Sequence, residues 1–168
     1  PVICKIYTFQ NSRDAAGLIG FLKDKNPTYR EAAAIACASV QAAETVTPLA
    51  KLLKSDKKNA VRLAAAYALG QVGESQAEPL LLDAYKHEKS PDVKQAILEA
   101  LGKCGTEKSG LTFLTSLDVS GQPDRVFMGK AWGIYRFSLR NIVSPKGNEI
   151  MIAALAQNTP ENVRFVAA

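Results

Sequence analysis

The chain has 168 residues, 47% of them hydrophobic, and 21 basic against 16 acidic residues leave a formal charge of +5. That balance describes a folded segment with ample core material, and the modest excess of positive charge is a weak pointer to an acidic partner. Apolar runs such as AAAIACASV at residues 32–40 fall far short of the roughly 18 residues of a membrane span, and Cys4, Cys37 and Cys104, odd in number and without a C-x-x-C pair, offer neither a disulfide framework nor a zinc site.

In chain order, Val2, Ile3, Ile6 and Phe9 fall at helical spacing and predict the end of an earlier helix. Asn11 and Ser12 offer cap oxygens and Asp14 a first-turn charge for a helix over 13–23. Asn26-Pro27 starts the next helix, over 28–40, because proline is well tolerated in a first turn. A second pair is expected over 43–54 and 60–69, and a third over 76–87 and 92–101. Pro48 and Pro79 fall within the first helix of these pairs and predict a bend in each. A fourth pair covers 107–117 and 124–139, with a longer link between. The fifth begins over 147–157 and resumes at Pro160. Glycines at 70, 73, 102 and 105 read as helix terminators. No basic stretch followed by an apolar run opens the chain, so a targeting signal is expected outside it and the compartment is not readable.

The stretch VRLAAAYALGQVG at 61–73 is written again as KQAILEALGKCG at 94–105. Arg30, Arg62 and Lys94 are 32 apart, and the column continues to Lys130 and Arg164 at intervals of 36 and 34. A fixed period of about 20 to 50 residues is the mark of a solenoid. Six positions before each basic residue stands an acid or amide: Asp24, Asp56, Glu88, Asp124 and Asn158. A carboxylate there would accept the free N–H groups at the start of the second helix, and the basic side chain would neutralise it.

A first helix with proline, an acid in the link, an apolar-basic pair opening the second helix and a closing A-L-G-x-[VC]-G together resemble HEAT repeats of the short bacterial type. The resemblance implies an all-α fold, a right-handed α-α superhelix in which link carboxylates meet basic side chains of the same or the adjacent repeat. Residues 1–168 would form a single solenoid segment of about four and a half helix pairs, truncated at both ends from a longer chain. DKNPTYREAAA at 24–34, EALGKCGT at 99–106 and AWGIYRF at 131–137 also resemble the N-terminal part of large bacterial proteins carrying a cyclophilin-type peptidyl-prolyl isomerase domain. That resemblance implies isomerase activity in a domain outside this segment, and a periplasmic or envelope location.

No catalytic residue, cofactor site or metal site is expected in the segment. His87, the one histidine, is flanked by Lys86, Glu88 and Lys89 and has no nucleophile in a matching context. Some HEAT-like solenoids bind DNA and excise alkylated bases; Trp132, Tyr135, Arg136 and Arg140 with Asp124 give a thin version of the basic, aromatic and acidic set this needs. Trp132 aligns with Ala64 and Ala32 at a packing position and reads as core. Positions one and five after the basic column are expected to face outward: Glu31 and Ile35, Leu63 and Tyr67, Gln95 and Glu99, Ala131 and Tyr135, then Phe165. Stacked along the inner curve, Ile35, Leu63, Tyr67, Glu99, Tyr135 and Phe165 are the candidate partner-binding residues, for a protein or peptide or for other domains of the same chain. Nucleic-acid binding and a purely structural spacer are the alternative readings.

Overall fold

The 32-residue period folds as helix pairs stacked side by side in a computed structural model that describes residues 1–155. One row consists of α1 (Val2–Asn11), α3 (Pro27–Val40), α5 (Asn59–Val72), α7 (Pro91–Cys104) and α9 (Asp124–Leu139), each packed on the next. The other row consists of α2 (Ala15–Phe21), α4 (Val46–Ser55), α6 (Glu78–His87), α8 (Thr112–Ser116) and α10 (Pro145–Ala153). Helices α2, α4, α6 and α8 pack against α3, α5, α7 and α9 in turn, and α10 reaches both α8 and α9. There is no strand among the described residues, and no described helix is long and apolar enough to cross a membrane.

Local chemistry sets the helix starts. Asp14 accepts from the N–H of Gly17 at 2.9 Å and so caps α2, whereas Asn11 and Ser12 belong to the end of α1. Asn26 caps α3 through the N–H of Thr28, with Pro27 in its first turn. Pro48 and Pro79 lie in the first turns of α4 and α6, each preceded by a short 3₁₀ turn, Ala43–Thr45 and Ser75–Ala77. The prolines expected to bend the helix from inside thus stand at its start, where the chain switches from 3₁₀ to α geometry and a missing proline N–H leaves no ladder bond unmade.

Large aliphatic side chains fill the space between the rows: Leu18, Leu49, Leu53, Leu69, Leu81, Ile97, Leu98 and Leu101 are fully buried. Small residues face the row of second helices. A methyl group added to Gly70 would lie 2.9 Å from Ala100 Cα, and one added to Gly129 2.7 Å from Gln95 Cα. At Gly133 it would meet the carbonyl oxygen of Leu98 at 2.6 Å and the side chain of Leu114 at 2.8 Å, and at Gly102 it would meet Gly133. Thus α7 and α9 touch backbone to backbone. Gly70 and Gly102 are packing residues inside α5 and α7, contrary to the expectation that they end them; Gly73, with φ of 76°, is the left-handed terminator of α5, and Gly105 ends α7 in extended backbone.

Two polar features tie repeats together. Glu78, 6% exposed at the start of α6, accepts from the N–H and hydroxyl of Thr106 at 3.2 and 3.0 Å, fastening the third repeat to the π-type turn Glu107–Leu111 that leads into α8. Arg13, at a left-handed φ of 55°, donates to the carbonyl of Val40 at 2.7 Å, where α3 ends. Cys37 and Cys104 are buried, and burial pushes both thiols up to about 12; Cys4 is exposed.

The α7–α9 seam makes a direct prediction. Gly133→Ala should cost about 1–3 kcal/mol by overpacking. Gly20→Ala, where a methyl meets nothing within 4 Å, should be neutral or stabilising by up to about 1 kcal/mol. Denaturant unfolding of the two variants checks the contrast.

Candidate partner-binding face

The link between the two helices of each repeat carries the basic-acidic column. Arg30 Nε and Nη2 donate to Asp56 at 2.6 and 3.1 Å, while Nη1 donates to the carbonyl oxygens of Asp24 and Lys25 in its own link. Arg62 repeats the arrangement one unit later: Nε and Nη2 reach Glu88 at 2.8 and 2.9 Å, and Nη1 reaches the carbonyl of Asp56. The partner is thus the acid of the next link, not the one six residues earlier, which offers its backbone carbonyl instead. Each carboxylate is also a turn organiser, since Asp56 accepts from the N–H of Lys58 and Glu88 from those of Lys89 and Ser90.

Lysine does not reproduce the rung. Lys94 places Nζ 5.4 Å from the centre of the Tyr85 ring, and Lys130, 7% exposed, donates to the carbonyl of Leu117 at 2.8 Å. One ammonium is a single point charge, whereas a guanidinium fork spans a carbonyl and a carboxylate at once. Asp24 accepts from the N–H of Asn26, and Asp124 is the first residue of α9, exposed and outside the column. Asn158, Arg164 and Phe165 lie outside the described residues.

The opposite face of the second-helix row holds the outward pairs. Ile35, Leu63 and Tyr67 are 45%, 40% and 43% exposed. With Glu31, Gln95 and Glu99 they line a hollow of about 580 Å³ that runs across α3, α5 and α7. Arg125 and Asp92, paired at 3.0 Å and largely exposed, form its margin. Tyr67 accepts from Gln71 at 2.7 Å, and Lys103 sits 5.4 Å over its ring. Glu99 is not a free rim acid: Lys103 and Arg136 hold it at 3.2 and 3.0 Å, in a half-buried cluster. Arg136 also stacks 5.4 Å over Trp132, whose ring meets Tyr135 edge-on at 5.6 Å. Tyr135 is exposed one repeat beyond the hollow.

Two expectations need correction here. Ala131, expected to face outward, is fully buried, because Met151 and Ala154 at the end of the fifth repeat's first helix cover it. The proposed base-reading set is not assembled. Trp132, Tyr135 and Arg136 meet, but Arg140 turns back to donate to the carbonyls of Gly102 and Gly105. Asp124 stands at the other end of the 16-residue α9, about 24 Å away at 1.5 Å per residue. His87 is an exposed surface residue 3.8 Å from Asp83.

A row of helix pairs that share one core, with link-to-link arginine rungs on one edge, defines a helical-repeat solenoid. A family model for HEAT repeats matches residues 15–102 and again 60–125, and the chain belongs to that family. No curated protein matches it significantly in sequence. Among solved structures it is similar to the complex of CpcE and CpcF of phycocyanin lyase from Nostoc sp. PCC7120, at 17% identity and a TM-score of 0.71 over 91% of this chain and 95% of that one. It is also similar to Escherichia coli YibA (19%, 0.66, covering 96% of this chain and 61% of that one) and to human deoxyhypusine hydroxylase in complex with glycerol (15%, 0.51, 99% and 75%). At these identities the likeness is one of fold.

The rungs set an acid dependence. Burial alone would raise the carboxyl of Asp56, but Arg30 and the N–H of Lys58 outweigh it and hold it below its usual range; Glu88 is lowered in the same way by Arg62 and the N–H groups of Ser90 and Lys89. A depressed folded value contributes stability that is present above the unfolded value, about 4, and is lost as pH falls through the folded value. Thermal unfolding from pH 7 down to 2 should show stability falling below about pH 4, with the fall reduced in the double variant Asp56→Asn, Glu88→Gln.

Proposed function

We propose that this segment is a non-catalytic interaction module that binds a protein or peptide along the second-helix face. The observation that carries this is the column Ile35, Leu63 and Tyr67: three large side chains, each two-fifths exposed or more, set side by side in a concavity. A folded chain that keeps three such side chains in water on two adjacent repeats leaves apolar area that a partner would cover. Tyr67 adds contact area with little rotamer freedom to lose, and Gln95 and the Tyr67 hydroxyl supply hydrogen-bonding groups beside it. HEAT repeats commonly mediate protein association, and the CpcE–CpcF likeness is to a complex of two chains. The relation to isomerase-bearing chains rests on the three quoted sequence segments alone; under it, the solenoid would present a catalytic domain carried elsewhere.

Panning a random peptide library against the chain tests the proposal. Enriched peptides should carry apolar or aromatic anchors, and Leu63→Glu with Tyr67→Ala should weaken them by about 10- to 100-fold while helix content stays unchanged. Binders equally tight on the double variant would place the binding surface elsewhere.

A further inference from the structure

The edge formed by the links after α2, α4 and α6 is strongly basic, for a reason that the arginine rungs supply. These links and the last turns of the helices that lead into them expose Lys23 and Lys25, then Lys54, Lys57 and Lys58, then Lys86 and Lys89. Of the nearby acids, Asp56 and Glu88 are matched one to one by Arg30 and Arg62 beneath them. With Asp92 at the start of α7 paired with Arg125 at 3.0 Å, that leaves seven lysines against Asp24 and Asp83, the latter already paired with Lys54 at 2.8 Å. The resulting excess of five is as large as the formal charge of the whole chain. The next link, DVSGQPD at 118–124, carries no lysine and two aspartates, so the stripe stops after three repeats.

We propose that this edge binds the phosphate backbone of a nucleic-acid duplex without reading its sequence. The flexible cations are all lysines, which meet phosphate as point charges and impose no fork geometry. None of the exposed large hydrophobic side chains lies in these links, so the edge has neither a platform for unstacked bases nor a wedge for a bilayer, and no apolar anchor of the kind that holds an acidic protein segment. A depression of about 300 Å³ between the second and third links, with Lys54, Lys57 and Lys89 around Asp56, Glu88 and Arg62, gives phosphates a place to approach the row, since both carboxylates there are already paired with arginine. The start of α5 at Lys58, with neither a side-chain cap nor a first-turn acid, adds partial positive charge on the same edge. With neighbouring helices about 8–10 Å apart, three links span about 20 Å, or about six base pairs of duplex. This surface is distinct from the hollow at Leu63 and Tyr67.

The test is fluorescence anisotropy of a labelled 20-base-pair mixed-sequence DNA duplex titrated with the chain between 50 and 200 mM salt. Binding should weaken steeply with salt. The variant Lys25→Gln, Lys57→Gln, Lys89→Gln should lose about tenfold or more in affinity at 50 mM and flatten the log–log salt slope by about three, close to 0.9 per phosphate contact removed. An equal charge change placed elsewhere, Lys5→Gln, Lys108→Gln, Lys146→Gln, and the hollow variant Leu63→Glu, Tyr67→Ala should both leave the slope in place. The proposal is overturned by no duplex binding at 50 mM, by an unchanged slope in the edge variant, or by an equal loss in the control. Binding to vesicles of phosphatidylserine and phosphatidylcholine in place of the duplex would also overturn it.

Discussion

Each arginine rung makes two connections at once, and the rest of the molecule depends on that. Arg62 closes its own link through the carbonyl of Asp56 and reaches the next link through the carboxylate of Glu88, and Arg30 does the same one repeat earlier. The side chains of Asp56 and Glu88 are 4% and 5% exposed, so these ion pairs are shielded from the screening that makes surface pairs nearly worthless. Removing either partner would leave a half-buried charge with only neutral hydrogen-bonding groups around it.

Two surfaces follow from this one device. Fixing link to link fixes α3, α5 and α7 in register, so that equivalent positions on successive helices fall side by side. Ile35, Leu63 and Tyr67 become a continuous apolar column through that alignment, since each helix alone exposes only one or two such residues. On the edge the same arginines neutralise the link acids from below, and the lysines above are left unbalanced. The fourth repeat shows what happens without the rung. Lys94 and Lys130 make local contacts only, and the connection passes to the glycine seam between α7 and α9 and to the Glu78–Thr106 bridge.

Much of the fold was legible because a solenoid writes its plan once per repeat. The 32-residue period placed the helix pairs to within a few residues, and the outward pairs at Ile35, Leu63 and Tyr67 followed from counting along a helix from Arg30 and Arg62. What stayed hidden depended on neighbours in space. Gly70 and Gly102 carry the same residue type as a terminator, but α5 and α7 run on to Val72 and Cys104 because those glycines admit Ala100 and Gly133. Ala131 sits at an outward register and is buried by residues some twenty positions later. Glu78 and Thr106 meet across a repeat boundary with no motif to announce them. The basic edge was present in the composition as a net charge, but its location became visible only when the acids were seen to be already matched.

The measurement that bears most directly on this account is a double-mutant cycle on one rung, using Arg62→Met, Glu88→Gln and their combination, read by denaturant unfolding. If the rung couples one repeat to the next, the two single losses should exceed the loss in the double variant, with a coupling energy of about 1.5 kcal/mol or more. Single losses that add in the double variant to within about 0.5 kcal/mol would mean that Arg62 and Glu88 act independently, and that register along the solenoid is set by apolar packing alone.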